Sequence, residues 1–291
     1  MLFLIKVVLF VCFLQVMDGF APVSALAWGP GIHTAIALVT LGQAELLLPS
    51  IAGVIAAFPI QYLYGCLAAD FFIGKGRRKR RKSHFHCWDG GFKLLDEAGD
   101  NEEASYSYGF LTHLAADVIA HNYFIPNVIQ DTHSSRRLGH LYWELRSDYL
   151  VGPGYTRIAK EILSLDHESC DTLLSVAMSK ETNGLRTKKR LYTQGVRLSD
   201  FLYAASPLFL SDPAWLPVMF KDDLSRMVAL SCRLVQDSLE NLEDSLCISY
   251  DPLGQVNLRL ARERAYSFLR KGLSTAHLNT HFPVDEELLM L

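Results

Sequence analysis

Two stretches of the chain, HLAADVIAHN and GHLYWELRSD, carry residue types that can do chemistry. In the first, His113, Asp117 and His121 stand at i, i+4 and i+8. On a helix such positions drift by only about 40° per step, so all three project from one face. Roughly 12 Å of helical rise separates the two histidines, which argues against one shared ion. Asp117 lies between them and has two oxygens, so it can serve two neighbouring ions. In the second stretch, His140 and Glu144 stand one helical turn apart and can close on one ion from one side. Asp70 ends the apolar run LAAD, where a bare carboxylate needs a partner and a metal ion supplies one. The segment SHFHCWD follows, and there His84 and His86 flank Phe85. On extended backbone they share a face, one as ligand and the other as its neighbour.

The N-terminal stretch SALAWGPGIH adds to this set. An apolar run, VVLFVCFLQV, precedes Ala25-Leu26-Ala27, an A-x-A cleavage site, so residues 1–27 read as an export signal. The run is shorter than the roughly 20 residues a membrane span needs. Cleavage leaves residues 28–291 as one domain, beginning at Trp28. The new α-amino group, with a pKa near 8, can lose its proton and bind a metal. His33 follows about one helical turn later, so proteolysis creates a candidate ligand pair.

The donors are then the amine and carbonyl of Trp28 with His33, Asp70, His84, His113, Asp117, His121, His140 and Glu144. Imidazole and carboxylate suit zinc, and catalytic zinc keeps about three protein ligands and one open position. With Asp117 bridging, the set suits up to three zinc ions. Asp70, Asp117 and Glu144 offset only half the charge of three dications. Such a site stays positive, which favours a phosphate group and a metal-bound hydroxide.

These residues must be held by helices. Strand-like alternation is scarce. Helical periods are expected over 104–121, 136–150, 220–246 and 256–273, and two buried helices over 33–69 with breaks at Pro49 and Pro59. The fold expected is mostly α, a multi-helix domain with long loops in its N-terminal half. Half of the 291 residues are apolar, enough for a substantial core, while a net charge of −3 points to no partner. Residues 74–83, GKGRRKRRKS, form a basic loop that could attract nucleic acid or anionic headgroups. After cleavage, Cys66, Cys87, Cys170, Cys232 and Cys247 remain. Their spacings match no zinc finger, and buried thiols are the simplest reading.

The ordered set from Trp28 to the HxxxE of His140 and Glu144 resembles the zinc-dependent phospholipase C family. That family includes the bacillary phosphatidylcholine-hydrolysing enzyme and the catalytic domain of clostridial alpha-toxin. The resemblance covers residues 28–144 and implies a phospholipase C/P1 nuclease-like helical fold. It implies that Trp28, through its amine and carbonyl, holds one zinc with His33 and Asp117. Asp70, His84, His113 and Asp117 would hold another, and His121, His140 and Glu144 a third. His84 is favoured over His86 because the family shows a His-Phe-aromatic-Asp segment there. Asp70 is also implied as the general base. The expected activity is hydrolysis of phospholipid headgroups at a membrane surface by an exported enzyme.

Two alternatives stand beside this. A zinc nuclease of the S1/P1 type has the Trp28-to-His33 spacing, but that family ends in HxxxD where this chain has Glu144. A non-catalytic zinc-binding protein would show closed coordination and no turnover. The remaining histidines, His133, His167, His277 and His281, read as surface or core residues.

Overall fold

Proline placement explains where the N-terminal helices start. In a computed structural model, α1 (Pro30–Gly42), α2 (Pro49–Ala57) and α3 (Pro59–Ala68) each begin on a proline. At the first helical position the missing N–H costs nothing and φ is already set. Between α2 and α3, Phe58 leaves the helical region (φ −127°, ψ 57°), and the two helices meet at 93°. Three helices therefore stand where the apolar run suggested two.

The structure describes residues 28–72, 85–132, 137–178, 182–205, 220–271 and 281–291. Residues 1–27, read above as an export signal, residues 74–83, read as a basic loop, and His84, His133 and His277 lie outside the described residues. A 3-10 turn, Ala69–Phe72, ends α3. Then come α4 (Trp88–Asp96) and α5 (Asn101–Ile119), which passes into a π-helical turn, Ala120–Phe124, and α6 (Ile125–Asp131). The chain continues through α7 (Arg137–Val151), α8 (Pro153–Ser164), α9 (Glu168–Ala177) and α10 (Thr182–Ala205). It ends with α11 (Phe220–Asn241), α12 (Gln255–Lys271) and the short α13 (Glu286–Leu289). Among the described residues there is no strand, and the fold is mostly α. No single helix among them is long and apolar enough to cross a membrane.

The centre of the bundle is α5. Asp100 caps it by accepting the Glu103 N–H at 2.9 Å, while the Glu103 carboxylate reaches back to the Gly99 N–H at 2.9 Å. The first bond satisfies a donor that a helix start would leave orphaned, and the second ties down the residue before the cap. Beyond the cap α5 is buried on nearly every face, from Ser105 to Ile119. A helix buried all round lies inside a core, and α2, α3, α4, α9 and α11 all pack on it. The crossing with α3 is close because Gly65 faces the Tyr106 carbonyl and Gly109 faces the Tyr62 carbonyl. A side chain at either glycine would collide with backbone. One apolar cluster runs from Trp28 to Leu288 and joins the C-terminal helices to this centre.

All five described cysteines are free thiols, with Cys66, Cys170 and Cys247 buried. Burial pushes those three thiols up in pKa.

Candidate metal centre

The α3–α5 crossing is what puts His113 in place. Its Nδ1 lies 2.7 Å from the Cys66 carbonyl. A carbonyl only accepts, so Nδ1 carries the proton and Nε2 presents its lone pair, the arrangement of a metal-binding histidine. Asp117 stands one turn further along α5. His113 Nε2 lies 3.1 Å from Asp117 Oδ2, and His121 Nε2, from the π-helical turn, lies 3.5 Å from that same oxygen. The two histidines, far apart along the backbone, thus both reach Asp117. The π turn that places His121 is anchored from the C-terminal half. Asn122 donates to the Asp251 carbonyl and Asn257 donates to the Asn122 carbonyl, each at 2.9 Å. Gly254, at φ +50°, packs so close to the His121 carbonyl that no side chain fits there.

Two further elements bring imidazoles to Asp117. His33, on the first turn of α1, puts Nε2 3.3 Å from Asp117 Oδ1 and stacks on His113 at 3.8 Å. His86, just before α4, puts Nε2 3.2 Å from Asp117 Oδ2 and 2.9 Å from His113 Nε2. Sequence reading preferred His84, which lies outside the described residues; of the two, His86 is the one seen in the cluster. Asp70, on the 3-10 turn after α3, places Oδ1 3.5 Å from His113 Nε2, and its Oδ2 accepts from the Tyr192 hydroxyl at 3.2 Å. Ligand atoms of His33, Asp70 and His113, and those of His86, His113 and Asp117, lie within 4.8 Å of one another. All of these residues are buried.

On α7, Glu144 is buried, and its Oε2 has no hydrogen-bond partner. Burial pushes its pKa well up, and the charges of Asp148, Asp70 and Asp117 add to this. His140 lies one turn earlier on α7; its side chain is outside those described. One turn later, Asp148 accepts the Gly31 N–H at 2.8 Å and the Ile32 N–H at 2.9 Å. It therefore caps α1 from a distant helix and sets the turn that carries His33. Sequence reading missed this residue, although it continues the Glu144 stripe by one turn. The Trp28 side chain is a core aromatic: its ring packs on Phe124 at 4.8 Å and its N–H donates to Ser231 Oγ at 3.1 Å. Of the histidines without a motif, His167 is buried against Tyr64, and His281 is exposed beside Asp131.

The electrostatics suit a cation. Burial pushes Asp70 up to about 7, with His113 pulling it down and Asp117 pushing it up. For Asp117, burial acts upward, but the adjoining His113 and His121 prevail and hold it well below the usual carboxylate range. Burial lowers His86, which keeps its ring neutral and able to ligate. Neither Asp117 oxygen has a hydrogen-bond partner, and neither has His33 Nε2 nor either nitrogen of His121. Buried polar groups are seldom left so. Cations between the imidazoles and carboxylates would satisfy them together, so this donor set fits zinc.

Over residues 32–187, more than half of the chain, the sequence matches the family model described as zinc dependent phospholipase C. The chain belongs to the zinc-dependent phospholipase C family. No curated protein and no solved structure matches it. The family match spans α1 to the start of α10 and so includes every element that brings His33, Asp70, His86, His113, Asp117, His121 and Glu144 inward.

Proposed function

We propose that this chain is an exported zinc-dependent phospholipase C with up to three zinc ions. The observation that carries this reading is Asp117: two buried oxygens, without hydrogen bonds, faced by imidazole nitrogens of His33, His86, His113 and His121 at 3.1–3.5 Å. Asp117 would bridge two ions. One would be held with His33 and the backbone of Trp28, and the other with Asp70, His113 and the histidine of the HFH segment. His121, His140 and Glu144 would hold a third. Residues 1–27 would be removed on export, freeing the Trp28 amine, and residues 28–291 would form one domain.

Zinc, when bound, supplies positive charge against phosphoryl oxygens and makes water nucleophilic at neutral pH. Asp70 is the candidate general base. It would take a proton from the attacking water and return it to the diacylglycerol oxygen as the phosphorus–oxygen bond breaks. The products are diacylglycerol and a phosphorylated headgroup.

The test is zinc content together with N-terminal sequencing of exported protein, followed by turnover assays on phospholipids of several headgroups and on single-stranded DNA. About three zinc ions, a chain starting at Trp28 and release of diacylglycerol are expected. Cleavage of DNA with no lipid turnover would instead select the nuclease. Zinc-loaded protein inert toward both would leave a zinc-binding protein.

A further inference from the structure

Tyr192 lies outside the residues matched by the family model, yet its hydroxyl enters the cluster. Helix α10 packs against the 3-10 turn that carries Asp70, and the Tyr192 ring meets Phe71 edge-on at 5.4 Å. That contact aims the hydroxyl at Asp70 Oδ2, 3.2 Å away, while Oδ1 faces His113. A carboxylate can turn about its last bond and can bind a metal through one oxygen or both. A donor fixed on one oxygen removes that freedom and leaves the other as the single ligand atom. Outer partners of this kind typically change metal affinity or activity by about 10–100-fold.

We propose that Tyr192 is a positioning residue. It holds Asp70 so that Oδ1 alone is offered to the metal beside His113, and the C-terminal half thereby completes a site whose ligands all come from the N-terminal half. This rests on Asp70 being a metal ligand, as proposed above.

The experiment compares exported wild-type protein with Tyr192→Phe, Tyr192→Leu and Asp70→Asn. Zinc affinity is measured by competition with a chromophoric chelator, and the ligand field by absorption of the cobalt-substituted proteins. Phenylalanine keeps the ring on Phe71 and removes only the hydroxyl. Tyr192→Phe should keep the helical signal, weaken one zinc site by about 10–100-fold and shift the cobalt spectrum. In turnover, kcat should fall with KM little changed. If Tyr192→Phe matches wild type in affinity and spectrum while Asp70→Asn loses a zinc, the positioning role is wrong and the reading of Asp70 stands. If only Tyr192→Leu weakens zinc, the residue merely packs and the proposal is overturned. If Asp70→Asn keeps every zinc, the reading of Asp70 itself fails.

Discussion

The site depends on how closely α3 approaches α5, and Gly65→Ala tests this dependence directly. A Cβ at Gly65 would lie 2.9 Å from the Tyr106 carbonyl carbon, closer still to its oxygen, and 3.0 Å from the Phe110 nitrogen. A Cβ at Gly109 would meet the Tyr62 carbonyl and the Cys66 nitrogen in the same way. These are backbone atoms, so no side chain can swing aside. Restoring ordinary contact requires the helices to part by about 1 Å in an interior with few voids. Such overpacking costs about 1–3 kcal/mol. For a chain of this size the melting temperature should fall by roughly 2–5 °C. The same movement draws Asp70 and the Cys66 carbonyl away from His113. Metal–ligand distances tolerate only about 0.2 Å, so zinc affinity should fall at least tenfold. Thermal denaturation with and without zinc, alongside chelator competition, reads both effects. Gly65→Ala and Gly109→Ala relieve themselves by one movement, so the double variant should cost less than the sum. An unchanged melting temperature for Gly65→Ala, or strict additivity, would refute the reasoning.

The remaining predictions concern the cluster itself. Asp117→Ala should lower phospholipid turnover by at least about 100-fold and reduce zinc content while circular dichroism stays helical; wild-type rates in the zinc-loaded variant would remove the bridging role. His86→Ala should weaken zinc by at least tenfold, and His84→Ala should leave chelator competition unchanged; the reverse pattern would return the ligand role to His84. Asp148 is held up to about 7 by burial, despite two backbone N–H groups that favour its charge, against about 3.9 in the unfolded chain. Between those values the folded chain keeps a proton that the unfolded chain has released. Its contribution is therefore fully present below about pH 4 and is lost as pH rises through about 7. In chelator-treated protein, Asp148→Asn should flatten the fall in stability over that range by up to about 1.4 kcal/mol per pH unit. Urea unfolding at several pH values measures this, and an unchanged slope would contradict the raised pKa.

Legibility followed the range of the interaction. The i, i+4, i+8 spacing of His113, Asp117 and His121 was readable because a helical period is local, and the structure brings both histidines to Asp117. The split of residues 33–69 was read as two helices rather than three. Pro59 marked the break, but hydropathy runs straight through Phe58, and it is the backbone angles there that end one helix and start another. Helices α8, α9 and α10 were not singled out. Each buries a narrow stripe that gains meaning only against α1, α5 or the Asp70 turn. His84 and His86 are equivalent on extended chain. The turn into α4, where the Cys87 N–H bonds the Phe85 carbonyl at 2.9 Å, accompanies His86 into the centre.

Residue types and their order were enough to determine a mostly α chain and the zinc family, and to single out His33, Asp70, His113, Asp117 and His121, which the fold gathers, because ligation needs particular atoms and helices repeat them at a known spacing. Tertiary structure alone decided which atoms meet. The Cys66 carbonyl selects the His113 tautomer, Asp148 holds the turn beneath His33, Gly254 lets the C-terminal half approach His121, and Tyr192 reaches Asp70. None of these contacts has a local pattern, because each joins residues distant in sequence whose proximity is set by the packing of whole helices.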